Sequence, residues 1–163
     1  MKRIISIISL ILIAVLIFSS CAKDAANVSL YDLKDRMVSS TDKFGEMKYA
    51  SSSDDGAESI FRNISEMDYS KVEAFFVYYA ADGTGNADEI AVIQVKSKSD
   101  AALARAALEK HIETRRALYA TYDKSQLTKL DNVKYMAYGN VVGAVVADDA
   151  DAVSTAFYNY FNN

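Results

Sequence analysis

The chain of 163 residues has no proline, no tryptophan, a single cysteine, a single histidine and only six glycines. One cysteine excludes an internal disulfide and any zinc site built from several thiolates. One histidine leaves a catalytic triad or zinc site to be built around His111 alone. Positive charge is also scarce: 18 Lys and Arg face 22 Asp and Glu, a net charge of −4. Nucleic acid, which demands clustered Lys and Arg, is therefore excluded as a partner. So is a polybasic contact with anionic lipid. The glycines do not form a phosphate loop, because Gly83-Thr84-Gly85 joins two expected strands and lacks the following helix and Lys-Ser/Thr pair. No serine stands in a Gly-x-Ser-x-Gly elbow. There is no internal repeat and no low-complexity tract.

The one long apolar run lies at the start. Lys2 and Arg3 precede Ile4 to Phe18, 15 residues interrupted only by Ser6 and Ser9, and Ser19-Ser20-Cys21 follows. A membrane-spanning helix needs about 20 apolar residues, so this order predicts a cleaved signal instead. Small residues leading into cysteine are the layout of a bacterial lipoprotein signal, although Phe18 replaces the usual aliphatic residue. The expected organisation is a signal peptide over residues 1–20, a tether over 21–27 and a single globular domain over 28–163. Cys21 is the expected lipid attachment site, and membrane lipid the expected partner through it. The location implied is the outer face of the bacterial cytoplasmic membrane. Without residues 1–20 the chain keeps 143 residues and a net charge of −6. Acylated Cys21 leaves no free thiol.

The remaining pattern predicts an α+β domain in the order α-α-β-β-α-β-β-α. Ser29, with Asp32 three residues on, caps a first helix carrying Leu30, Leu33 and Met37 on one face. Thr41 to Gly56 reads as polar loop, and Glu58 to Ile64 as a short helix. Lys71 to Ala81 is β-branched and aromatic, as suits a strand with both faces at least partly covered. Glu89 to Ser97 returns as a second strand, with Ala91, Ile93 and Val95 on one face and the other drifting towards solvent. Ser99 is the expected cap of the longest helix, ending near Tyr122. Lys124 to Asn132 reads as a connector. Gly139-Asn140 joins two strands, Val133 to Tyr138 and Val141 to Ala147. Val153, Ala156, Phe157, Tyr160 and Phe161 then form an amphipathic helical stripe. Four antiparallel strands are expected, with the long and C-terminal helices on one face.

Several features carry a resemblance. Lys71-Val72-Glu73 opens a strand, and Ala87-Asp88-Glu89-Ile90-Ala91-Val92 follows. Next comes a helix with Ala107-Leu108-Glu109-Lys110-His111-Ile112-Glu113. Gly139-Asn140 stands before an apolar strand, and Asp148-Asp149-Ala150 before the last helix. Over about residues 65 to 160 this resembles a family of small lipoproteins of Gram-positive bacteria, catalogued as a domain of unknown function. Members usually carry Arg where His111 stands. The resemblance implies location and architecture but no chemistry.

The polar clusters point to no cofactor, no metal and no catalytic set. Asp82, Thr84, Asn86 and Asp88 alternate like calcium ligands, but Ala87 takes the glycine position and Ile93 that of the bidentate Glu. Asp148, Asp149 and Asp151 suit the positive end of a helix dipole. On His111's helix, Glu113 falls off its face and Arg115 at i+4 would repel its charged form, which predicts a surface or boundary histidine. The candidate ligand face is aromatic: Tyr78, Met136 and Tyr138, unless the N-terminal helices cover it. The function expected is binding or protein interaction at the cell envelope, with an envelope protein or glycan as partner. The alternatives are a hydrolase using carboxylates such as Asp88 and Glu89, and a structural component without ligand.

Overall fold

Val72–Ala80 carries apolar side chains on both of its faces, so it demands cover above and below. In the computed structural model, which describes residues 28–162, this segment is β2 of a five-stranded antiparallel sheet. The elements run α1 (Leu30–Val38), β1 (Met47–Ser51), α2 (Ala57–Phe61), β2 (Val72–Ala80), β3 (Glu89–Val95), α3 (Ala101–Tyr122), α4 (Leu127–Asp131), β4 (Lys134–Tyr138), β5 (Val141–Val146) and α5 (Ala150–Asn162). The spatial order is β1-β2-β3-β5-β4, which leaves β1 and β4 at the edges.

The α+β class is as expected, but the strand count is five rather than four. The added strand is β1, within the segment read as loop. It pairs with β2, Tyr49 opposite Tyr78. As an edge strand it has four of its five residues outside the buried class, and so lacks a clear apolar alternation. The expected connector 124–132 also contains α4. Ser99 does not cap α3. It lies in a short 3₁₀ turn whose own cap is Ser97, and Asp100 precedes the helix without a side-chain cap bond.

The long and C-terminal helices lie on opposite faces of the sheet, not on one. On the first face Phe75, Val77, Ala91, Ile93, Val142 and Ala144 pack with Ala104, Leu108 and Ile112 of α3, and with Phe61 and Ile64. On the second, Phe76, Ile90, Val92, Met136, Val141 and Val145 pack with Leu33 and Met37 of α1 and Val153, Phe157 and Phe161 of α5. Ile90 and Val92 are fully buried, so the second face of β3 does not drift to solvent. The physical reason is that both registers of the central strand are apolar, and a single helical layer covers only one of them.

α1 reaches this second layer through its cap. Ser29 Oγ accepts from Asp32 N at 3.2 Å, and Ser29 N donates to the Tyr160 hydroxyl of α5 at 3.2 Å. The β4–β5 turn has Gly139 at φ +60°, a conformation that suits glycine at the first turn position of a tight hairpin. Asn140 ties this turn to the sheet. Its backbone oxygen accepts from Val95 N at 2.9 Å, and its Nδ2 donates to Val95 O at 2.6 Å. Among the described residues no helix is long and apolar enough to cross a membrane.

Candidate functional site

Glu89 opens β3 in the same register as Ala91, Ile93 and Val95, so its carboxylate points at the layer occupied by α3. That position is buried, and a buried carboxylate requires charged and hydrogen-bonding partners. α3 supplies them one turn apart. His111 Nε2 lies 2.8 Å from Glu89 Oε1, and Arg115 Nη1 lies 3.5 Å from Glu89 Oε2. Burial pushes the Glu89 pKa up, but Arg115 and the His111 hydrogen bond outweigh it and hold the carboxyl below the ordinary glutamate value of 4.5. An ionised Glu89 can only accept, so His111 carries a proton on Nε2. In neutral histidine the other nitrogen, Nδ1, is then a lone-pair acceptor. It has no hydrogen-bond partner among the described residues.

Arg115 continues the construction. Its Nη2 donates to Ala87 O at 3.1 Å, while the buried Nη1 makes the ion pair without hydrogen-bond geometry. Tyr119, one turn further along α3, donates its hydroxyl to Asn86 O at 2.8 Å. Gln126 Oε1 accepts from Ala87 N at 3.1 Å. Asp88 is buried apart from Glu89, held by Lys129 Nζ at 2.7 Å and Asn86 Nδ2 at 2.7 Å. The segment 86–89 is thus clamped to α3 and to the region of α4 by a polar network.

His111 also lines a cleft of about 170 Å³, between α3 and the connection that follows α2, together with Arg62, Asn63, Ser65, Lys110 and Thr114. Beside it runs a second, apolar trough of about 400 Å³, over Met67, Leu103, Ala106 and Ala107. Glu66, Ala107 and Lys110 border both, and Lys110 pairs with Glu66 across that shared rim. Leu103 is half exposed in this trough. Together they form a groove along the outer side of α3, polar at one end and apolar at the other.

Of the expected aromatic face only Met136 is fully buried, and Tyr78 and Tyr138 are partly buried. Tyr138 stacks on Phe161 at 4.3 Å, and Tyr78 meets Phe44 edge-on at 5.6 Å. The reason is the second helical layer, since α1 and α5 occupy the face these residues share. His111 is a boundary histidine, within the expectation, for its side chain is 12 % exposed. Glu89 sits between His111 and Arg115, so their i,i+4 spacing brackets an anion and the repulsion expected from helical spacing is offset. The signal was readable in the register: an acidic residue on the inward face of a strand requires a cation on the helix that covers it.

The acidic clusters are engaged internally. Asp82 pairs with Lys48 at 2.5 Å, and the Thr84 hydroxyl donates to Ala81 O. Asp149 accepts from Thr41 at 2.8 Å and from Lys43 at 2.5 Å, and these bonds hold its carboxyl below the usual aspartate range. Asp151 pairs with Lys134 at 2.8 Å, and Asp148 lies 3.4 Å from Lys129. Among the described residues no three His, Cys, Asp or Glu side chains stand together as metal ligands. Cys21 lies outside the described residues.

A family described as "Domain of unknown function (DUF4358)" has a model that matches residues 45–147. The match opens just before β1, earlier than the resemblance near residue 65, and it ends before α5. It therefore takes in the whole sheet, Glu89 and His111. No curated protein and no solved structure matches this chain.

Proposed function

This chain belongs to the DUF4358 family, and on that premise we propose that it is a lipid-anchored envelope protein whose domain is a binding or protein-interaction module. In this reading residues 1–20 are a signal peptide and acylated Cys21 holds the domain at the outer face of the bacterial cytoplasmic membrane. The observation that carries the interaction role is the groove along α3. It combines an apolar floor with half-exposed Leu103, a polar end, and a histidine held from behind by an ionised carboxylate. Such a mixture of apolar area and a few fixed polar groups suits recognition of a segment of an envelope partner. Asp88 and Glu89 support this reading over a carboxylate hydrolase. Each is buried against its own cations, and they belong to separate constellations.

Two measurements test the proposal. Mass spectrometry of membrane-extracted protein should find a diacylglyceryl-modified Cys21 as the mature N-terminus, and Cys21→Ala should release the protein from the membrane. An unmodified Cys21 within an intact chain refutes the anchor. Envelope proteins crosslinked to the lipidated parent should be lost from Leu103→Glu, which charges the apolar floor, and retained by Leu118→Glu, which changes an exposed residue outside the groove. Equal capture by both variants refutes the groove as the binding surface.

A further inference from the structure

We propose that the face formed by Tyr31, Lys34 and Tyr49 rests against the lipid–water interface of the membrane that anchors the chain. The inference rests on the lipid-anchor reading of Cys21. Only residues 22–27 separate Cys21 from Val28, the first described residue, and the seven residue steps from one to the other reach about 24 Å at most. The surface around Val28 is therefore confined near the bilayer. Val28 shares a shallow hollow with Tyr31 of α1 and Tyr49 of β1, so these tyrosines stand where the tether joins the domain.

Both rings are unusually open for their size, 61 % for Tyr31 and 41 % for Tyr49. The Lys34 ammonium stands 4.6 Å from the first ring centroid and 5.2 Å from the second, gathering the three side chains into one patch. Tyrosine places an apolar ring and a hydroxyl at the depth where acyl chains give way to headgroups, while Lys34, only 16 % exposed, holds the two rings together from beneath. The attraction is not one of net charge. Lys34 is already paired with Asp35, and Asp32 and Asp54 flank the patch, so anionic lipid is not required.

Two tyrosines and one lysine could not hold a free protein on a membrane. Here the tether supplies the local concentration, on the order of millimolar for a short linker, and a weak contact then suffices to set orientation. A separate exposed apolar pair, Leu118 and Tyr122, lies near the C-terminal end of α3. α3 covers the first face of the sheet, whereas Tyr31 belongs to α1 on the second face and Tyr49 stands opposite Tyr78, which packs in that second layer. With the patch on the bilayer, Leu118 faces away from it.

The absence of native tryptophan makes the test direct. Tyr31→Trp, Tyr49→Trp and Leu118→Trp each introduce one fluorescent reporter at an exposed site. The full chain is expressed with its signal, extracted in lipidated form and reconstituted into phosphatidylcholine vesicles brominated near the glycerol end of the acyl chains. Emission should be lost in the Tyr31→Trp and Tyr49→Trp variants and kept in Leu118→Trp. Adding phosphatidylglycerol or salt should change none of the three. Lipidated protein that shows no loss at positions 31 and 49, or an equal loss at 118, overturns the inference and leaves the anchor standing. So does burial of the two reporters by a second copy, seen as crosslinked dimers without quenching. Extracted protein whose mass shows an unmodified Cys21 overturns the anchor, and the inference with it.

Discussion

Phe157→Ala is expected to lower the denaturation midpoint more than any exposed substitution in α5. Phe157 is fully buried at the centre of the second layer, 5.1 Å from the Phe161 ring, which in turn stacks on Tyr138 of β4. Truncating such a ring removes its transfer energy and opens a cavity that the tightly interleaved α1, α5 and sheet can only partly close. The typical cost is about 3–5 kcal/mol, set against roughly 5–15 kcal/mol for a whole domain. Thr155→Ala is the matched control: the residue is exposed and its hydroxyl only bonds back to Asp151 O within the same helix. Urea titrations should show a large fall in midpoint for the first variant, little change for the second, and similar slopes for both. Equal midpoints for Phe157→Ala and the parent would mean that α5 is dispensable to the core. The family match ends before this helix, so the result also decides whether the family's domain can stand without it.

The second large effect belongs to Glu89. Glu89→Gln preserves shape but leaves Arg115 and His111 buried against a neutral amide. Removing one partner from a buried ion pair typically costs about 3–5 kcal/mol, because the remaining charge is uncompensated. Glu66→Gln, which breaks a solvent-exposed pair with Lys110, should change stability little. The pH dependence gives an independent reading. The folded Glu89 pKa lies below its ordinary value of 4.5, so its contribution is fully present above that value and is lost as pH falls through the folded pKa. Glu89→Gln has no such contribution to lose. The gap between parent and variant midpoints should therefore be wide at neutral pH and should narrow as the solution is acidified below about pH 4.5. A gap that stays constant would show that the variant acts through packing and not through the charge.

Much of the fold could be read from periodicity. The registers of β3, β4 and β5 follow from alternation: Ala91, Ile93 and Val95 share one face, and Val142, Ala144 and Val146 fall on the same side as Tyr135. The stripe of α5 and the cap at Ser29 were likewise local, set by spacing and by a hydroxyl three residues from a free N–H. β1 was not legible in the same way. Its short, mostly unburied sequence is made a strand by β2 beside it, and an edge strand needs little apolar pattern of its own.

The candidate site divides along the same line. Spacing alone puts Glu89 in step with Ala91, Ile93 and Val95, and His111 and Arg115 one helical turn apart. The sequence also showed an acidic, thiol-poor chain with one long apolar run shortly before its only cysteine. Only the tertiary structure decided that α3 lies over β3 with His111 and Arg115 on either side of Glu89, and that α1 and α5 pack on the face of Tyr78, Met136 and Tyr138 and bury Met136. Alternation marks which side chains share a face but carries no information about which helix crosses that face. That choice is made by long-range packing, where two apolar faces of one sheet each required their own cover.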